Sequence, residues 1–81
     1  MNKRKGEKNM KKSYIGKINH GFKIIEEHRF KETCIVIGFR ESDENYVCWF
    51  ASESGGFWGG YYVDNYNKAY QKMEERIEWS K

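Results

Sequence analysis

TCIVIGFR (33–40), ESDEN (41–45) and YVCWFAS (46–52) follow one another in the chain, and how they pair decides the fold. Two runs rich in β-branched and aromatic residues flank five polar ones, which is the pattern of an antiparallel hairpin. With Arg40 set opposite Tyr46, counting gives Phe39 opposite Val47, Ile37 opposite Trp49 and Ile35 opposite Ala51. Side chains alternate along a strand, so these six residues share one face, the expected core face. Val36, Gly38, Tyr46, Cys48 and Phe50 then fall on the second face. Cys34 and Cys48 lie four ladder positions apart in this register, about 13 Å, beyond the reach of a disulfide.

Upstream, FKIIEEH (22–28) follows the turn triplet Asn19-His20-Gly21 and reads as another strand. Downstream, Tyr61-Tyr62-Val63 reads as a short strand or extended piece. Asp64 or Asn65 is a fit N-cap for a closing helix, in which Tyr66, Ala69, Tyr70, Met73 and Ile77 form an apolar stripe. Lys68, Lys72, Arg76 and Trp79 fall together on a different side of that helix. The expected fold is α+β, an antiparallel meander of three to four strands packed by one C-terminal helix.

The chain has 81 residues, enough for one domain with a marginal core, and its 17% aromatic content compensates for the small size. Two cysteines without a CxxC or His-Cys cluster suit neither a zinc site nor a disulfide framework, so buried thiols in a reducing cytoplasm are expected. No metal or cofactor is implied. No run reaches membrane length, and the charged N-terminus lacks the apolar segment of a signal peptide. A soluble cytoplasmic protein without membrane contact is the expectation.

The net charge of +3 does not belong to the domain. Residues 1–12 hold six basic groups against Glu7, which leaves nine basic against eleven acidic groups in residues 13–81. Residues 1–12 read as a disordered basic tail, and 13–81 as a single domain. Lys5-Gly6-Glu7-Lys8-Asn9-Met10 is what a purine-rich ribosome-binding site, an A-rich spacer and ATG yield when read in frame. Met10 is therefore a candidate true start, with a weak polyanion-binding arm as the other reading of the tail.

Gly55-Gly56-Phe57-Trp58-Gly59-Gly60 lacks the GxGxxG and GK[ST] spacings of phosphate loops, and no helix begins directly after it. Phe57 and Trp58 are read either as a binding loop or as a plug folded onto the open end of the sheet. Tyr46 and Phe50, with Cys48, stand on the second face, where the Tyr14-Ile15-Gly16-Lys17-Ile18 segment provides cover or a homodimer forms. Trp79 beside Lys72 and Arg76 is a stacking platform for a nucleotide or a partner, or else a frayed helix end. His20, His28 and the Glu26-Glu27 pair form no acid/base constellation, so no catalytic residue is assigned. The candidate partner-binding residues are Phe57, Trp58, Tyr61, Tyr46, Phe50, Trp79, Lys72 and Arg76.

Tyr46-Val47-Cys48-Trp49, then Phe57-Trp58-Gly59-Gly60-Tyr61-Tyr62, then Ala69 and Arg76 resemble a loose class of very small proteins from phages, prophages and conjugative elements of low-GC Gram-positive bacteria. The resemblance covers about residues 22–79 and implies a mobile-element setting. In such a setting, small proteins without enzymatic motifs act by binding host defence machinery. The expected function is a non-enzymatic module that binds a host protein, with an anti-CRISPR-like inhibitor as its specific form. The alternative is a nucleic-acid or nucleotide binder that uses the aromatic loop and the Lys68, Lys72, Arg76 stripe.

Overall fold

The computed structural model describes residues 13–30, 33–52 and 56–80. The basic tail, the candidate start at Met10 and Gly55 lie outside them. Strands β1 (Ile18–Asn19), β2 (Phe22–Phe30), β3 (Thr33–Arg40), β4 (Asn45–Ser52) and β5 (Phe57–Val63) form one antiparallel sheet in chain order, followed by helix α1 (Tyr66–Ser80). The α+β class and the meander hold. The expected three to four strands become five, because a two-residue β1 joins the sheet and the Phe57–Val63 segment pairs with β4.

The β3–β4 register differs from expectation by one residue. The turn takes only residues 41–44, with Glu44 in the left-handed region at φ 54°, so Arg40 pairs with Asn45. Phe39 therefore opposes Tyr46, Ile37 opposes Cys48, and Ile35 opposes Phe50. A slip of one exchanges the faces of a strand. Ile35, Ile37 and Cys48 pack under α1 with Ala69 and Met73, and Tyr46, Phe50, Val63, Tyr66 and Ile77 close around them. Cys34, Val36, Val47, Trp49 and Ala51 point the other way, into a second core with Tyr14, Phe22 and Ile24. The two cysteines are thus free, buried and on opposite sides of the sheet.

The second core closes because the sheet curls. β2 and β5 are three strands apart, about 14 Å in a flat sheet, yet the rings of Phe22 and Tyr62 lie 5.7 Å apart. Bulges bend both strands, one between Ile24 and Glu26 and one where Gly59 and Gly60 stand opposite Trp49. A Cβ on Gly38 would come within 3.0 Å of the Phe22 Cβ and 3.2 Å of a Val47 methyl, so the missing side chain lets Phe22 lie across β3. Trp49, only 3% exposed, fills the centre with ring contacts to Phe22 at 5.7 Å, Phe57 at 5.4 Å and Tyr62 at 6.3 Å. Large side chains such as Phe22 and Ile24, fully buried here, each contribute about 1.5–3 kcal/mol.

Tyr14 seals one end of this core. Its hydroxyl donates to the Ser52 carbonyl, its backbone N–H donates to Glu27 Oε1 at 2.8 Å, and its ring meets Phe57 edge-on at 5.8 Å. The N-terminal segment therefore covers the Trp49 side, whereas the face of Tyr46, Cys48 and Phe50 is covered by α1. That corrects both the expected N-terminal cover of this face and its availability for a homodimer.

Helix α1 starts where the sequence places it. Asn65 Oδ1 accepts the Lys68 backbone N–H at 2.9 Å, the N-cap bond to the third helical residue. Ala69 and Met73 are buried and Tyr66 and Ile77 flank them, while Tyr70 stacks on Tyr66 and stays 38% exposed. The Tyr66 hydroxyl donates to Glu26 Oε2 at 2.7 Å and fastens the helix to β2. Glu27, one residue on, serves Tyr14 on the other side, so the Glu26-Glu27 pair is split as the strand alternation requires.

Candidate partner-binding surface

Strand β5 sorts its aromatics by alternation. Phe57 and Tyr62 turn into the Trp49 core, and Trp58, Tyr61 and Val63 turn toward α1. Phe57 and Trp58 are thus neither a loop nor a joint plug, because glycine-rich flanks here accompany a strand and its bulge. Gly59, at φ 68°, supplies the left-handed residue of that bulge.

Trp58 stacks on Phe50, with centroids 5.7 Å apart and planes 20° from parallel, and remains 49% exposed. The Arg76 guanidinium carbon lies 4.6 Å from the centre of the Phe50 ring, and its Nη1 donates to the Cys48 carbonyl at 3.1 Å. Arg76 is therefore drawn onto the sheet instead of projecting with the polar side of the helix. One turn earlier, Lys72 Nζ sits 4.4 Å over the Tyr61 ring and 2.7 Å from Glu75 Oε1. Lys68 pairs with Asp64 at 3.3 Å. An open groove lies between Phe50, Lys72, Glu75, Arg76 and Trp79. Trp79, at its rim, is 86% exposed.

Six of the eight candidate residues, Trp58, Tyr61, Phe50, Lys72, Arg76 and Trp79, thus meet on one surface where β5 and α1 adjoin. The other two do not join them. Phe57 faces the opposite core, and Tyr46 lies under the start of α1, 4.8 Å from Phe39 and 5.9 Å from Tyr66 by ring centroids. Glu75 was not among the candidates, although its i,i+3 spacing from Lys72 is the sequence signal for the pair that forms. That pair holds the Glu75 carboxyl below its usual range.

The chemistry offered is stacking, apolar contact and fixed polar pairs. Burial pushes both thiols up, against a smaller opposing effect of Arg76 on Cys48, so neither is poised as a nucleophile. Neither histidine lies on this surface: His20 is in the turn between β1 and β2, and His28 is on β2. Among the described residues no cluster of three metal-ligating side chains occurs, and no helix is long and apolar enough to cross a membrane. Comparison with protein-family models, curated proteins and solved structures finds no match.

Proposed function

We propose that this protein is a non-enzymatic binding module that grips a protein partner with the Trp58, Phe50 and Tyr61 surface. One observation carries the choice over nucleic acid: every cation of the basic stripe is engaged within the chain while the indole beside it stays open. Lys68 is held by Asp64, Lys72 by Glu75 and the Tyr61 ring, and Arg76 by Cys48 and Phe50. A polyanion would have to break these pairs, whereas an apolar or aromatic anchor on a protein can stack on Trp58 at once.

The mobile-element resemblance makes a host defence protein the partner class, with inhibition by occupancy as the mode of action. Binding should survive high salt, since phosphate contacts weaken steeply with salt and apolar contacts do not. The test is retention of protein from a lysate of a low-GC Gram-positive bacterium, washed at rising salt, beside titration with DNA and RNA. Salt-resistant protein retention without polynucleotide binding supports the proposal. Polynucleotide binding that falls steeply with salt supports the alternative.

A further inference from the structure

Helix α1 carries its charges against its own dipole. Lys68 and Lys72 occupy its first half, Glu74, Glu75 and Glu78 its second together with Arg76, and no acidic residue stands in the first turn or basic residue in the last. Acidic groups are stabilising at a helix N-terminus and basic ones at a C-terminus, so this arrangement costs stability in an isolated helix. Three of these residues and the most exposed indole, Lys68, Lys72, Glu75 and Trp79, lie within about 60° of arc at 100° per residue, turned away from the Ala69 and Met73 side. Their spacing of four, three and four is a palindrome. It reads the same from either end, and the intervals are those of a heptad seam.

We propose that a second copy of this chain docks on this face, with the two α1 helices antiparallel across a two-fold axis between Met73 and Glu74. An antiparallel copy places Lys72 opposite the partner's Glu75 and Glu75 opposite the partner's Lys72, so the 2.7 Å pair that each chain already makes joins its counterpart in a network of four charges without being broken. In the same register Trp79 lies opposite the partner's Lys68, an indole face against an ammonium. Both relations are made twice, as a two-fold interface requires. The first half of each helix, with two lysines, then meets the second half of the other, where three glutamates outweigh Arg76, and the antiparallel dipoles compensate as well.

The ion pairs alone would be weak, as exposed pairs are. The apolar contribution comes from the two Trp79 side chains, 86% exposed in the single chain. Trp58, on β5, is outside the seam, whereas Lys72, Glu75 and Trp79 line both the seam and the groove beside Phe50, so the dimer leaves Trp58 open and covers the helix side of the candidate surface.

Sedimentation velocity over a wide range of concentration tests this with the full chain. The wild type should show a monomer–dimer equilibrium, and Trp79→Ala should shift it to monomer. Lys72→Glu and Glu75→Lys should each be monomeric alone, with unchanged helical circular dichroism, because each sets like charges face to face. Their equimolar mixture should dimerise, since the carboxylates of the first variant then face the ammonium groups of the second at both crossings. The double variant Lys72→Glu, Glu75→Lys should dimerise by itself. Trp58→Ala should dimerise as the wild type does, which separates this seam from the Trp58 contact. A wild type that stays monomeric, or a dimer that persists in Lys72→Glu, overturns the proposal.

Discussion

Trp49 and Phe50 are chain neighbours whose rings belong to different cores. Trp49 packs against Phe22, Phe57 and Tyr62 inside the curl of the sheet, and Phe50 lies under Arg76 and Trp58 on the helix side. The two cores share only the backbone of the sheet. Trp49→Ala should cost about 3–5 kcal/mol and Ile37→Ala about 2–5 kcal/mol, each a large share of the stability of so small a domain. Phe50→Ala should cost less, because its ring is only partly buried. Urea titration gives the order, and an equal or larger loss for Phe50→Ala would contradict the packing.

Arg76 stabilises the sheet through its bond to the Cys48 carbonyl. Arg76→Leu should lose about 1.5–3 kcal/mol, as for hydrogen bonds from a charged donor. Lys72→Leu, which gives up an i,i+3 pair with Glu75 and the contact of its ammonium with the Tyr61 ring, should lose about 1 kcal/mol or less. Matching urea midpoints for the two variants would show that the Cys48 contact contributes nothing.

Gly38→Ala tests the curl. Its methyl would press on the Phe22 Cβ and the Val47 side chain, neither of which can swing aside, and overpacking of that kind costs about 1–3 kcal/mol. An unchanged melting temperature would mean that Phe22 does not lie across β3.

The alkaline limb of stability belongs to Tyr66. Its hydrogen bond to Glu26 pushes the phenol from 10.0 up to about 12. A folded pKa above the unfolded one means that the folded state keeps its proton longer. The contribution is therefore complete below pH 10 and is lost as pH rises through about 12. Urea midpoints of the wild type should fall across that window, and those of Tyr66→Phe should fall less steeply.

Much of this architecture was legible in the sequence: strands at 22–28, 33–40 and 46–52, a helix cap at Asp64 or Asn65, and the Ala69 and Met73 stripe. The register was not, for a physical reason. Residues 34–38 are all buried, so their run of apolar side chains carries no alternation to tell one face from the other. The turn then set the pairing alone, and Asn45, polar and adjacent to the turn, reads equally well as its last residue or as the first of β4. Phe57 and Trp58 read as loop residues because paired glycines signal loops, although a glycine within an aromatic strand pattern also marks a bulge. The candidate residues are legible by type, since tryptophans near glycines and cations suggest a surface. Which of them meet depends on the slip and the bulge, so the exclusion of Phe57 and Tyr46 was out of reach.

One comparison tests whether Trp58 is a binding residue and not a core residue. Wild type and Trp58→Ala are taken through thermal melts and through capture from the same Gram-positive lysate at high salt. The melting temperatures should lie within a few degrees of each other, and the variant should lose the captured protein. A melt lowered as far as that of Trp49→Ala, or capture that persists without the indole, would contradict it.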